Sequence, residues 1–594
     1  MDSITYSKRI ILSLATIMVI AVGSSDVLAA EPVNTSMRLS NEAVTRPKRD
    51  QIITPNLETK LTSRPNTEIK VWVFFTDKAV FDKSGFAQAA ASVTLTDRAQ
   101  RRRAKMDKNM VVFADLAVPN HYVEAIENLG AKHRRSSRWL NAATFELPAR
   151  LLEPISDLPF VAEIRPMAFY QHIPEPEGDS RDDRFDQALA EPHALDYGES
   201  IYQLEQINVP AVHDLGYTGL GVTLTIMDTG FRKTHDAIIA HLAENRLLAE
   251  YDFVYNDSNT DYDDGDWASE TSHGTRVWSV AAGYADGYLY GPAYQANFIL
   301  CKTEDIRSET PIEEDNWVAA LEFADSVGTD VISTSLGYIT YDDPANSYTY
   351  EDIDGQTAII SIAASTCDGL GIVMVNSAGN SGGLGAGSIT PPADAHDILA
   401  VGAVDGSGTI AGFSSLGPTY DGRIKPEVCA RGVATLCAHQ SDDNTYANYY
   451  GTSFSAPLVA GAACLVIEAH PDWTPYQVRE ALKASGSNTA NPDNTYGWGI
   501  INTYNAIQYD PGCCVGIVGN VNGVGGEEPT ISDISALIDY LFINRTPVDC
   551  LPEADINQSG ETFPTETDLS IGDVAVLIDY LFITGPSLGL PNCM

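Results

Sequence analysis

The chain is predicted to be an α/β protein: a mostly parallel sheet flanked by helices, a small α/β unit before it, and a small α-helical domain with calcium-type loops after it. Three observations carry this prediction. From about Gln203 to Asn505, apolar strand-like runs alternate with small-residue helical stretches, as parallel strands buried on both faces require. From Ile69 to about Arg165 the order of runs is β-α-β-α-β, which fits a small open sandwich. Near the C-terminus, Ser532 to Ile543 recurs as Gly572 to Ile583, 40 residues on, each copy an amphipathic helix after a turn-rich loop.

Taken in order, residues 1–30 read as a signal peptide: Lys8 and Arg9 form a basic start, Ile10 to Val22 an apolar stretch, and Val27-Leu28-Ala29-Ala30 a cleavage region. The stretch falls short of the roughly 20 residues that cross a bilayer, so export to the extracellular space is expected, and no later segment reads as a span. Residues 31–65 are polar and aperiodic, a flexible leader. Within 66–173, Ile69 to Phe75, Trp139 to Leu147 and Phe160 to Ile164 read as strands, and Asn120 to Leu129 as a helix with Tyr122, Val123 and Ile126 on one face. Residues 174–200 open with Pro174-Glu175-Pro176-Glu177-Gly178-Asp179 and form an acidic linker, where proteases nick chains. Residues 201–510 hold the large sheet, with strands at Val222 to Met227, Phe298 to Leu300, Val331 to Thr334, Ile372 to Val375 and Ile398 to Val401; residues 511–594 hold the repeat.

The net charge of -43 is unevenly spread. Glu68 to Arg165 carries 15 Lys/Arg against 12 Asp/Glu, whereas Pro166 to Met594 carries 14 against 62. Such acidity excludes nucleic acid as a partner of the later part and suits solubility and calcium binding. It also makes the two parts attract each other, with a merely solvated acidic surface as the alternative. Nine cysteines leave at least one without an intrachain bridge in an oxidising compartment. Cys429 and Cys437 are near enough in sequence to bridge, Cys513, Cys514, Cys550 and Cys593 crowd the small C-terminal domain, and Cys301 and Cys464 read as core residues.

Acyl transfer at a peptide bond needs a nucleophile, a base, a group that orients the base, and donors for the developing oxyanion. Asp228 ends an apolar strand and precedes Thr229-Gly230, so its carboxylate sits at the carboxyl end of a parallel strand, where open sheets build their sites. His273 precedes Gly274-Thr275 and opens the helical run Val277 to Ala282. Ser453 lies in Gly451-Thr452-Ser453, before the apolar helix Leu458 to Ala469, where backbone N–H groups face negative charge. Singly these are modest signals. Asp-Thr-Gly also marks aspartic proteases, but that chemistry needs a second copy, and there is none; a Ser before a buried helix is commonly an N-cap.

Together, in the order Asp, His, Ser, the motifs resemble those of the subtilisin-like serine endopeptidases (subtilases, peptidase family S8), over roughly residues 200 to 505. The resemblance implies a subtilisin-like fold. It also implies that Ser453 attacks the scissile carbonyl, His273 moves the proton and Asp228 orients the imidazole, with no cofactor for catalysis. Asn376-Ser377-Ala378-Gly379-Asn380 is similar to the segment whose last Asn donates to the oxyanion, and Ser333-Thr334-Ser335-Leu336-Gly337 to the extended substrate-binding segment; Ser333, Ser335, Leu336 and Gly337, with Ala378 and Gly379 as pocket walls, are the implied binding residues. No triad position departs from the pattern, and protein or peptide substrates are implied.

In the same context residues 66–173 resemble the family's inhibitory prodomain, which makes the chain a self-processed zymogen cut between about Pro166 and Ser200. Arg101, Arg102 and Arg103 are then docking residues or, alternatively, a solvated helix face. Calcium in the catalytic domain is a family expectation, with Asp261, Asp263, Asp264 and Asp266 as its loop or, equally, a solvated acidic loop.

In the repeat, Asp555, Asn557 and Ser559 place oxygens at alternate positions with Gly560 sixth, the start of an EF-hand-type loop, and Asp573 follows on the helix after an insertion. Asn520, Asn522 and Asp533 match the first copy, where Val524 stands in place of an oxygen ligand. The pair resembles a dockerin, which implies calcium and a cohesin-like partner. A two-helix cap hiding its own apolar faces is the alternative. At the level of the whole chain, the alternative to an active endopeptidase is a scaffold whose protease-like domain has lost activity.

Overall fold

The computed structural model describes residues 52–509 apart from 107–109, 168–192, 264–265, 267–269, 306–313 and 338–347, and in the C-terminal segment 518–521, 529–543, 548, 550, 554–557, 569–584 and 590. The expected signal peptide, most of the leader and most of the acidic linker therefore lie outside the described residues. The described end of the leader, expected to be flexible, instead forms a helix, Pro55–Ser63, with Ile52, Ile53 and Leu57 buried in the core of the N-terminal unit, because its few apolar residues find that core.

The N-terminal unit is a four-stranded antiparallel sheet of β1 (Glu68–Phe75), β2 (Lys132–Ser137), β3 (Ala142–Pro148) and β4 (Val161–Pro166) in the order β2-β3-β1-β4, with α1 (Asp97–Arg103) and α2 (Asn120–Glu127) in its connections. Strand side chains alternate between faces. In β1, Val71, Val73 and Phe75 enter the unit's own core with Ile126, Phe145, Leu147 and Ile155. Trp72 and Phe74 point the other way, into a second core shared with Trp317, Leu321, Ala324, Ile359 and Ile362. Both faces of this small sheet are thus covered, and the second is covered by helices of the larger unit.

Those helices are α4 (Glu314–Val327) and α5 (Ile359–Gly369). They flank a seven-stranded sheet of β5 (Thr223–Asp228), β6 (Leu247–Asp252), β7 (Asn297–Lys302), β8 (Val331–Thr334), β9 (Val373–Ser377), β10 (Leu399–Val404) and β11 (Val428–Arg431), in the order β11-β10-β9-β8-β5-β7-β6. Every pairing is parallel, as the run of apolar strands requires. On the opposite face lie α3 (Thr271–Ala282) and α6 (Thr452–Ala469). In length and composition α6 would suit a membrane span, a resemblance the reading of the sequence had not given it, but 89% of it is buried against the sheet.

After β5 the chain crosses to β6 and returns through β7, and β8 then pairs on the other side of β5. This reversal opens a crevice at the carboxyl ends of β5 and β8, the place where open α/β sheets hold ligands.

Two cysteine expectations are decided. Cys429 and Cys437 do not bridge: they are buried thiols, with Cys429 Sγ 3.5 Å from Tyr496 O and Cys437 Sγ 3.3 Å from Thr435 O. Cys550 is disulfide-bonded within the C-terminal segment, whose other cysteines lie outside the described residues. That segment contains α7 (Ile531–Ile538) and α8 (Ile571–Asp579), the two predicted repeat helices, packed over Leu537, Ile556, Val574 and Leu577.

Candidate active site

Asp228 is the last residue of β5 and is fully buried. Its carboxylate accepts the Thr229 N–H at 2.7 Å and meets His273 Nδ1 with both oxygens, at 2.8 and 2.9 Å. A carboxylate held this way fixes the proton on Nδ1 and leaves Nε2 as the basic nitrogen. His273 sits in the first turn of α3, which begins at Thr271, two residues before the His predicted to open the helix. The close approach depends on Gly274, where a Cβ would lie 2.3 Å from Gly230 O and 3.1 Å from Asp228 Cβ. Phe454 closes the other side of the imidazole, 5.9 Å between ring centres.

Ser453 is the second residue of α6, after Gly451 (φ +155°) and Thr452. First-turn amides have no acceptor within the helix, so they are directed at whatever stands beside the serine hydroxyl. The serine is tied to the end of β8: Ser335 Oγ donates to Ser453 O at 2.9 Å, and Ser453 Oγ lies 3.4 Å from Ser335 O.

Asn380 follows β9 and is exposed. Its Oδ1 accepts from both the backbone N–H and the hydroxyl of Thr452, each at 2.9 Å, which commits the amide oxygen and turns the NH₂ group the other way. Thr452 Oγ1 also receives Gly379 N–H at 3.2 Å. Thr452 was expected only as part of a motif; in the fold it fastens the Asn380 segment to the helix that carries Ser453. Gly379 has φ +107°, and a Cβ there would meet Thr390 Oγ1 at 2.6 Å.

Two of the expected substrate-binding residues are placed differently. Ser333 is fully buried inside β8, with its strand neighbours Ile226 and Val375 on either side, so no substrate strand has access to it. Ala378 is buried in a cluster with Ile353, Ile389, Ala393 and Ala400, and so backs the site without lining it. Ser335, Leu336, Gly337 and Gly379 follow the carboxyl ends of β8 and β9, the two glycines partly exposed, with Leu336 O held by Asn376 Nδ2 at 3.1 Å.

The acidic loop expected to hold calcium or to be solvated is described in part, and two of its carboxylates have protein partners. Asp261 takes the Lys233 and Tyr262 N–H groups, Asp266 faces the ammonium of Lys302 at 3.2 Å, and Asp264 lies outside the described residues. In the C-terminal segment, Asp533 and Asp573 are fully buried and close the first turns of their helices. Asp533 Oδ2 accepts from Thr530 N and Oγ1, Asp573 Oδ2 from Ser570 N and Oγ, and Asp573 Oδ1 from Asn557 N at 2.9 Å. That last bond brings the loop start, with buried Asp555, to the helix start. Asn520 is described, outside any helix or strand, whereas Asn522 and Ser559 lie outside the described residues. Among the described residues, no group of three or more His, Cys, Asp or Glu side chains is placed so that it could hold a metal ion.

Residues 219–499 match the subtilase family of S8 peptidases, and residues 70–181 match the peptidase S8 propeptide domain of Bacteroidota. The chain is 30% identical to subtilisin NAT of Bacillus subtilis subsp. natto over 389 residues, covering 65% of this chain and 85% of that protein. It is 32% identical to the subtilisin of Bacillus pumilus over 310 residues, covering 52% of this chain and 98% of the relative. Among solved structures it is similar to fervidolysin from Fervidobacterium pennivorans, a keratinolytic enzyme related to subtilisin, with TM-score 0.56 and 20% identity over 80% of this chain and 65% of that one, a likeness of fold.

Proposed function

This chain belongs to the subtilase family of S8 peptidases and is a subtilisin-like serine peptidase with a propeptide, and from that premise we propose that Asp228, His273 and Ser453 form the catalytic triad of a secreted endopeptidase made as a self-processed zymogen. The observation that carries this reading is the buried, two-oxygen hold of Asp228 on His273 Nδ1 at the carboxyl end of β5. His273 Nε2 takes the proton of Ser453 Oγ as it attacks the scissile carbonyl, and returns it to the leaving amine; Asp228 keeps the imidazole in the useful tautomer and stabilises the imidazolium. The acyl-enzyme is then hydrolysed by water, with His273 again as base. The NH₂ group of Asn380 and the Ser453 backbone N–H stabilise the oxyanion, and Thr452 keeps the Asn380 amide aimed. The substrate backbone lies along Ser335 to Gly337, beyond the end of β8, next to Gly379.

The N-terminal unit is the inhibitory part of the zymogen, removed by cleavage between about Pro166 and Ser200, with the mature enzyme beginning near residue 201. Its contacts support that role: Arg102, Arg103 and Arg138 converge on the buried Asp325 of α4, and Arg134 reaches Asp315 at the start of the same helix. The C-terminal pair of helices is a dockerin-like module, in which Asp555, Asn557 and Asp573, with Ser559, would hold calcium, and Asn520, Asn522 and Asp533 a second ion. Calcium there supplies structural order. Ile531, Phe542 and Ile543 are exposed, as are their repeat counterparts Ile571, Phe582 and Ile583, which suits docking to a cohesin-like partner.

Casein hydrolysis by secreted wild type beside Ser453→Ala, with mass spectrometry of both chains, tests the reading. Activity and a shortened N-terminus in the wild type alone are expected. Equal inactivity of two folded, full-length chains would refute it and favour the scaffold alternative.

A further inference from the structure

Lys302 ends β7, between Asp228 of β5 and Asp252 of β6 in strand register. Its side chain is completely buried. The ammonium is surrounded by Glu270 Oε2 at 2.8 Å, Asp252 Oδ2 at 3.0 Å and Asp266 Oδ2 at 3.2 Å, with the Tyr255 ring centre 4.5 Å away. An ammonium has three N–H groups; here Asp266 Oδ2 accepts a hydrogen bond, and the Asp252 and Glu270 carboxylates stand within ion-pair distance.

The three carboxylates come from three separate segments: the end of β6, the acidic loop, and the residue that precedes α3. Their remaining contacts stiffen the same region. Asp252 Oδ1 accepts from Val254 N and Tyr255 N at 2.7 and 2.8 Å, Glu270 Oε1 from Tyr255 Oη at 3.0 Å, and Asp266 Oδ2 from Asp263 N at 3.1 Å. Convergence of hard oxygen donors from distant segments on one buried cation is what a structural divalent ion provides elsewhere. A buried ammonium is tolerated only when paired and hydrogen-bonded, and three carboxylates achieve this.

The cluster abuts the catalytic pair. Lys302 Cδ would lie 3.5 Å from a Cβ on Gly230, two residues after Asp228, and Gly230 O is the atom against which Gly274 packs. Glu270 is the N-cap of α3, three residues before His273.

We propose that Lys302 is a positioning residue for the triad: an internal ammonium that takes the place of a structural metal ion, locking the start of α3 so that His273 meets Asp228. The proposal rests on the triad reading. Lys302 holds three mutually repelling carboxylates together, and without it their repulsion separates β6, the loop and the α3 N-cap. Other charged groups around this region include Asp228 beside His273, Asp263 next to Asp266, Glu304 just beyond β7, and Arg276, one turn along α3 from His273 over the Tyr449 ring; all are kept in the variants below.

The test uses the full-length secreted protein after processing, with a peptide substrate, measuring kcat, KM and the acid limb of the pH profile for wild type, Lys302→Met, Lys302→Ala and Glu270→Gln. For Lys302→Met the expected result is a roughly 10- to 100-fold loss of kcat with KM within about threefold. Removing one positive charge moves the acid limb to higher pH, because imidazolium is favoured by the added negative field; Glu270→Gln, which removes a negative charge, moves it to lower pH. Mere loss of packing gives no such pair of opposite shifts. For Lys302→Ala, millimolar calcium or added methylammonium restores kcat several-fold, an effect absent from wild type handled identically.

Wild-type kcat and acid limb in Lys302→Met, or shifts of the same sign in the Met and Gln variants, would overturn the proposal. If Lys302→Met does not accumulate, Glu270→Gln and Lys302→Ala carry the test by the same criteria. A serine-reactive fluorophosphonate probe separates the two readings. Failure to label Ser453 in active wild type refutes the triad, whereas normal labelling with unchanged Lys302 variants refutes only the role of Lys302.

Discussion

Asp325 is the point at which the N-terminal unit is most exposed to a single substitution. Its side chain is fully buried on α4, and it receives Arg103 at 2.9 Å, Arg138 at 2.7 Å, and Arg102. Burial pushes its carboxyl up, but the charges of Arg102, Arg103 and Arg138 outweigh that and hold it below the usual carboxylate range. Arg102 has further partners in the carbonyls of Leu370 and Thr329, and Arg103 has Asp115, so Asp325→Asn leaves the arginines buried without their shared counter-charge. Removing one partner of a buried pair costs about 3–5 kcal/mol. At 1.4 kcal/mol per tenfold, the N-terminal unit added back as a separate chain should inhibit processed Asp325→Asn roughly 10²- to 10³-fold less tightly than wild type. The assay is the inhibition constant from residual peptide hydrolysis, and activity without inhibitor should be unchanged, because Asp325 lies on α4, away from the crevice. Arg102→Met in the inhibitor should also weaken binding, and the double change should cost less than the sum. An inhibition constant within threefold of wild type for Asp325→Asn would refute the reasoning.

Three further outcomes are expected. Thr452→Val removes the hydroxyl shared by Asn380 and Gly379 while keeping the backbone donor, and should lower kcat about tenfold; Asn380→Ala should lower it roughly 10²- to 10³-fold, the magnitude found for the corresponding donor of subtilisin. Equal kcat in Thr452→Val and wild type would show that the backbone bond alone aims the amide. Burial pushes His213 down to about 4, while its neutral ring is satisfied by Tyr197 Oη and Pro292 O, each at 2.8 Å. Its contribution is therefore full above pH of about 6.5 and is lost as pH falls towards 4, about 3 kcal/mol in all. His213→Gln should flatten the decline in Tm across that window, and an unchanged slope would count against it. Chelation of calcium should lower the stability of the C-terminal module while leaving peptide hydrolysis by the catalytic unit intact, and a melting profile indifferent to chelator would remove calcium from that module.

The elements readable in the sequence were those whose pattern is set by burial alone. The five predicted strands of the large sheet all appear, their starts within one residue and their ends within three, because parallel strands covered on both faces have to be apolar throughout. Of the three strands of these two sheets that were not anticipated, β11 is buried but only four residues long and ends in Arg431, whereas the other two have other reasons for their residues. β2 reads Lys-His-Arg-Arg-Ser-Ser, which no hydrophobic pattern detects; it is an edge strand whose Arg134 and Arg135 answer Asp315 and Asn316 on another element. β6 is half-buried, at the outer edge of the sheet. The residues of the proposed triad stood out because strand end, helix start and glycine each leave a local mark. Ser333 was misplaced because an extended segment reads alike whether its edges are free or paired. Lys302 was missed for a related reason: a lysine after an apolar run reads as the solvated end of a strand, and its three carboxylates are 32 to 50 residues away in the chain.

The uneven charge has its physical meaning in the places where it is buried. The basic N-terminal unit does not spread its arginines over an acidic surface. It drives Arg102 and Arg103 into the space beside Asp325, at the C-terminal ends of α4 and α5, where Arg102 also meets the carbonyls of Thr329 and Leu370. Carboxylates left behind on α4 when this unit departs return to water and cost little there, whereas arginines buried without Asp325 cost several kcal/mol. The penalty for a mismatched partner therefore falls on the complex and not on the free enzyme. If the N-terminal unit is removed as proposed, this asymmetry would let one surface hold that unit tightly, remain stable without it, and reject a segment that offers apolar contact without the arginines.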